Sequence, residues 1–136
     1  MALQPITTRA PDFVPDKITD AEGGAMLRAV VNLFGKWQIT DEDAALLLDL
    51  PLRTYRRWKA GQPGRLNRDL KARLSNLLGI HKALRIIFVD PNRTYAWIKA
   101  ENAAFGGRSA LHVMRGGELT DLMRVRRYVD VERGGW

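Results

Sequence analysis

There is no cysteine in the 136-residue chain, which excludes a disulfide framework and any thiolate metal site. Histidine is nearly absent. His81 and His112 are the only two, too few for a histidine-built zinc centre or proton relay. No apolar run approaches the ~20 residues that cross a bilayer, and the N-terminus lacks the basic-then-apolar order of a secretory leader. These absences lead us to expect a cytoplasmic protein without membrane contact, cofactor or metal. Acidic residues are missing from one long stretch. Between positions 53 and 85 ten Lys and Arg face a single carboxylate, Asp69, a local surplus of +9 within a total of +7. The rest of the chain sums to −2. A surplus gathered in one segment is the footprint of a polyanion-binding surface, although a solubilising face would have the same composition.

The most informative stretch is 41–61, DEDAALLLDLPLRTYRRWKAG. It reads as two short helices joined by a tight turn. Ala44, Ala45 and Leu48 mark the inner face of the first helix, Leu50 lies under the turn, and Tyr55 and Trp58, three apart, mark the inner face of the second. With those positions inside, Arg53, Thr54, Arg56, Arg57 and Lys59 face out. Such a helix suits the major groove, where Arg donates two hydrogen bonds to guanine. A helical hairpin with a solvated basic face is the alternative. Asp49 occupies the turn, where a left-handed backbone is needed and Asp tolerates it less freely than Gly. Lys71 and Lys82 are candidates for phosphate contact.

Elsewhere the pattern is helical throughout, and we expect an all-α fold with no strands. Residues 1–19 carry three prolines and read as an arm in which Phe13 and Val14 have no assigned site. A first helix over 20–34 shows Met26, Ala29, Val30, Leu33 and Phe34 on one face and stops at Gly35. Trp37 and Ile39 then serve as buried connectors, and Thr40 is an N-cap. Asn67 caps a long stretch over 68–88 with apolar positions Leu70, Leu74, Leu77, Leu78, Leu84, Ile87 and Phe88. Gly79 predicts a kink or break there, and the leucine stripe is either core or a dimer seam. Asn92 caps a helix over 93–100, Ser109 opens a short helix to Met114, and residues 118–132 form a last amphipathic helix.

Ser109 and His112 lie three apart, but no acidic residue completes a triad, and neither a phosphate-cradling glycine loop nor metal-ligand spacing occurs. The chain is therefore expected to bind rather than catalyse.

Two resemblances give these elements a context. The 41–61 stretch resembles the helix-turn-helix of Xre-like regulators in its paired alanines, apolar turn residue, Arg-Thr step, Trp58 and closing Gly61, with Asp49 where Gly is usual. The run WIKAENAAFGGRSALHVMRGG, followed by RVRRY on the last helix, resembles the toxin-binding domain of the Xre/MbcA/ParS antitoxins. Trp97, Asn102, Phe105, Gly106, Ser109, Ala110, Leu111 and Gly116 stand at the matching positions, with Phe105-Gly106-Gly107 where many members carry Pro. The resemblance implies an Xre-like helix-turn-helix bundle over 20–88 and a small toxin-binding domain over 89–136. It also implies a cognate RES-domain toxin that degrades NAD and an operator of the chain's own operon. One short recognition helix reads only a few base pairs, so DNA binding is expected to be dimeric or higher, and a homodimer is expected. The resemblance places Trp97, Asn102, Phe105 and Ser109 at the toxin. An NAD-binding cleft must accept pyrophosphate, which favours guanidinium groups, so Arg124, Arg127, Arg133 and the terminal Trp136 become candidates to enter it. A solvated helix face is the alternative for Arg124 and Arg127. A stand-alone repressor without a toxin partner is the competing function.

Overall fold

A computed structural model describes residues 17–134. Among them are seven helices: α1 (Asp20–Trp37), α2 (Asp41–Leu48), α3 (Leu52–Lys59), α4 (Arg68–Ile87), α5 (Pro91–Trp97), α6 (Ala110–Met114) and α7 (Leu119–Glu132). The all-α expectation holds with one correction. Glu101–Asn102 (β1) and Arg108–Ser109 (β2) form a short antiparallel bridge around the 3-10 turn Ala103–Phe105. A two-residue pairing is too short to leave any alternation in sequence. The N-terminal arm expected up to residue 19, including Phe13 and Val14, lies almost wholly outside the described residues.

Local chemistry sets most helix ends. Thr19 opens α1, its Oγ1 accepting from Glu22 N at 3.1 Å and donating to the Glu22 carboxylate at 2.9 Å. Gly35 does not stop that helix. It continues to Trp37 and closes at Gln38 in the left-handed region. Trp37, only 2% exposed, packs on Phe34 at 6.1 Å between ring centroids, and this burial holds the last turn in place. The buried face is Leu27, Val30, Leu33, Phe34 and Trp37. Ala29, expected inside, is exposed.

Thr40 caps α2 through Asp43 N. Asp49 takes the left-handed conformation the turn needs, with φ 52° and ψ 47°, and hydrogen bonds from Asp49 N to Leu46 O and Leu50 N to Ala45 O close the helix. Asn67 caps α4 through Leu70 N. Asp90, not Asn92, caps α5, because Pro91 takes the first helical position and leaves the Asp90 carboxylate beside Asn92 N.

The expected break at Gly79 does not occur; α4 runs as one helix of 20 residues. Leu70, Leu74, Leu77, Ile80, Ala83 and Leu84 are buried along it, so the leucine stripe is core. Its most extensive neighbours are α7 on one side and α1 on the other. Gly79 lies on the α7 side, where a Cβ would stand 2.6 Å from Arg126 Nε. The missing side chain makes room for a guanidinium. One apolar cluster runs from α1 and α2 through α4 to Val125 and Val129 of α7, and both surfaces described next are fixed to it.

Candidate functional site

The exposed face of α3 follows from its two inward aromatics. Tyr55 is 1% and Trp58 7% exposed. Their neighbours Arg53, Arg56, Arg57 and Lys59 are exposed and Thr54 half-buried. The sequence did not reveal that two of these cations are already engaged. Arg56 Nε lies 3.4 Å from the Asp41 carboxylate and its Nη2 3.5 Å from Glu42, while Lys59 Nζ donates to Asp41 at 2.9 Å. The Lys59 hydrogen bond, with Arg56 beside it, holds the Asp41 carboxyl below its usual range. Exposed pairs of this kind contribute about 0–1 kcal/mol each, weak enough for a phosphate to compete. Arg53 and Arg57 have no such partner among the described residues.

The basic segment behind α3 is not one surface. Arg73 is buried. Lys71 is tied to Ile18 O at 3.0 Å and to Asp20 at 3.1 Å. Arg65, Arg68 and Lys82 are exposed. The local +9 is thus split between structural and solvent-facing groups.

A second surface is built on the outer face of α7. Trp97 and Tyr128 stack at 6.2 Å with planes 11° apart. Phe105 meets both rings edge-on, at 6.4 Å from Trp97 and 5.2 Å from Tyr128. The Arg124 guanidinium lies over the Phe105 ring at 5.4 Å, a favourable place for a cation. Beside this cluster a cleft of about 530 Å³ is lined by Phe105, Met123, Arg124, Arg127, Tyr128 and Val131, among others. Met123 is 41% and Val131 61% exposed. An apolar floor with a guanidinium rim is the composition of a protein-binding patch.

The residues expected to face a partner therefore divide. Trp97, Phe105, Arg124 and Arg127 come together. Asn102 shapes the turn that holds Phe105, itself only 5% exposed, its Oδ1 accepting from Ala104 N at 2.9 Å, and Ser109 caps α6, its Oγ accepting from His112 N at 3.0 Å. Arg133 folds back onto Asp130 at 3.1 Å. Trp136 lies outside the described residues. Tyr128, Met123 and Val131 were not anticipated. The signal was available in part, since positions 120, 123, 124, 127, 128 and 131 recur at helical spacing on one face of α7.

Comparison with known proteins follows the same division. Residues 16–79 match the antitoxin Xre-like helix-turn-helix domain. Residues 83–135 match the antitoxin Xre/MbcA/ParS C-terminal toxin-binding domain. The chain is 41% identical over 112 residues to the uncharacterized protein y4oB of Sinorhizobium fredii (strain NBRC 101917 / NGR234), covering 82% of this chain and 86% of that relative. Its fold is similar to a chain in the crystal structure of the M. tuberculosis MbcT–MbcA toxin–antitoxin complex, with a TM-score of 0.55 and 25% identity, over 81% of this chain and 95% of that one.

Proposed function

Because the chain belongs to the Xre/MbcA/ParS antitoxins and joins an Xre-like helix-turn-helix to the family's toxin-binding domain, we propose that it neutralises a RES-domain toxin that degrades NAD. In this reading the face of α7 and the tail after it cover the toxin's active site. Residues 20–88 bind operator DNA as a homodimer and repress the operon, and residues 89–136 hold the toxin. The protein acts by binding, without catalysis of its own, in the bacterial cytoplasm.

The observation that carries the toxin half is the convergence of Phe105, Arg124 and Tyr128 on an open cleft, with Trp97 stacked on Tyr128. Aromatic and Arg side chains are the types that most often carry interface energy. Arg124 and Arg127 on the rim supply the guanidinium chemistry that a pyrophosphate-binding cleft accepts. The similar chain in the MbcT–MbcA complex comes from a toxin–antitoxin assembly, which supports a stoichiometric protein partner. For the DNA half, the support is a recognition-type helix whose Arg53 and Arg57 are exposed without a carboxylate partner among the described residues.

Native mass spectrometry of the protein purified from its own host tests the reading. The expected result is a tight complex whose second component degrades NAD only after separation. Removing the residues after Val131, or replacing Arg124 and Arg127 together with Ala, then releases toxin activity while operator binding persists. A partner-free oligomer that binds its own promoter DNA would instead favour a plain repressor.

A further inference from the structure

One cleft belongs to neither of these surfaces. It lies where the end of α1, the second half of α4 and α5 meet, and it encloses about 230 Å³. Lys36 reaches it from α1, His81 and Arg85 from α4, and Tyr95 from α5. Two are cations and the other two can donate a hydrogen bond. No carboxylate is among the lining residues. Among the described residues neither Lys36 nor Arg85 is in an ion pair. The nearest acid in sequence, Asp90, is committed to Asn92 N at 2.9 Å.

His81 makes the arrangement more specific. Its Nδ1 is buried and has no hydrogen-bond partner among the described residues, an uncommon and costly state for a polar atom. The ring is held in place by stacking on Tyr95, 6.3 Å between centroids and 13° between planes. Lys36 Nζ sits 5.9 Å from the centre of the same Tyr95 ring. Burial first, then the charges of Arg85 and Lys36, push the His81 imidazole below its usual range. Two cations gathered around a half-buried imidazole with no counter-charge repel one another. A ligand carrying negative charge and several acceptor oxygens removes that repulsion.

We propose that this cleft binds a small phosphate-bearing anion, held by Lys36, Arg85 and His81 with Tyr95 as its aromatic wall. Pockets that bury drug-sized ligands run to roughly 300–1,000 Å³, so the cleft suits a phosphate or a small phosphomonoester. A backbone phosphate of nucleic acid offers the same chemistry, and the experiment separates the two sources.

The two histidines make the test direct, because His112 is exposed on α6 beside Arg108 and serves as an internal reference. The imidazole resonances of the full-length protein are followed by NMR while inorganic phosphate is added, against sodium chloride of matched ionic strength. We expect a saturable change at His81 alone, with a Kd on the order of 1 mM and an upward move of the His81 titration midpoint. Lys36, Arg85 and Tyr95 are the groups facing His81 from the three helices, so Lys36→Gln and Arg85→Gln should each weaken binding about tenfold, a loss of the size expected when a charge-assisted hydrogen bond is removed. Both side chains are exposed, so these changes leave the core intact. Equal shifts at both histidines, no shift, or unchanged affinity in Arg85→Gln would overturn the site. A change at His81 produced by a short DNA duplex but not by inorganic phosphate would also overturn it and reassign the cleft to nucleic acid.

Discussion

The guanidinium of Arg73 donates to the carbonyl of Gly117 at 2.8 Å. The same nitrogen donates to Leu47 O at 3.2 Å, and Arg73 Nε donates to Asp69 at 2.8 Å. Arg73 is 3% exposed. Its partners come from both halves of the molecule: Leu47 lies in the last turn of α2, the first helix of the helix-turn-helix, and Gly117 lies in the turn that launches α7. Arg115 reinforces the link with an ion pair to Asp43 at 2.9 Å. The DNA-type hairpin and the helix carrying the aromatic cleft are thus joined through one buried side chain.

Arg73→Met should therefore destabilise the whole fold. The buried Leu47 carbonyl loses its donor at about 1–3 kcal/mol, and the part-buried Gly117 carbonyl loses less because water reaches it; a net cost of about 3 kcal/mol is expected. Urea denaturation gives the value, and the transition should stay single because one apolar cluster spans both halves. Asp69→Ala should cost less, about 1–2 kcal/mol: the carboxylate is 48% exposed, but Arg73 is only 4% exposed and keeps its charge without the counter-ion. If both variants lose the same amount, the ion pair rather than the carbonyl bonds holds the joint.

Gly79→Ala makes two effects compete. Alanine gains about 1 kcal/mol of helix propensity over glycine. Its Cβ must displace Arg126, whose hydrogen bond to Ser75 O is 3.4 Å and whose ion pair with Asp130 is 3.5 Å. Both are long, and the side chain is 37% exposed, so its loss amounts to about 0.5 kcal/mol. We expect a net stabilisation of about 0.5 kcal/mol by thermal or chemical denaturation. A loss above about 1 kcal/mol would mean that α4 and α7 must separate to admit a methyl group.

These cases show what the sequence carried. Cap chemistry is local, so Thr40, Asn67 and Ser109 were legible. The inward aromatics of α3 were legible because a spacing of three admits only one buried face. Gly79 was misread because a helical glycine takes its meaning from what packs against it, here a side chain on α7. The pairing of Arg56 and Lys59 with Asp41 depends on how α2 and α3 cross, which no spacing encodes. At the cleft, Trp97 and Phe105 were reached by family resemblance, whereas Tyr128 gains its role only when α7 lies against them.

Alkaline stability should depend on Tyr55. Burial first, and the nearby Asp41 charge second, push its phenol up to about 12 from an ordinary 10.0. An unfolded chain releases that proton near pH 10 while the fold retains it. The stabilisation is therefore complete below pH 10 and is lost as pH rises toward about 12. Tyr55→Phe should flatten the fall in melting temperature across that window. An unaltered fall would place the alkaline sensitivity at other groups.

The ion pairs of α3 predict how it reads DNA. Arg53 and Arg57 are exposed without an ion-pair partner among the described residues, so replacing either with Ala should cost about 1–3 kcal/mol of operator discrimination where it meets a base. Arg56 and Lys59 must first leave Asp41 and Glu42, so their own replacement should cost less. Asp41→Asn combined with Glu42→Gln frees both cations and removes two charges that repel phosphate. That variant should bind non-cognate duplex more tightly, with a salt dependence steeper by about 1–2 because each added phosphate contact contributes ~0.9 to the slope. Fluorescence anisotropy over a range of salt concentrations measures both quantities. A steeper slope with unchanged operator affinity means that the acidic turn of α2 restrains indiscriminate binding. An unchanged slope would place Arg56 and Lys59 away from the DNA, and unchanged operator affinity in Arg53→Ala and Arg57→Ala would remove α3 as the reading helix.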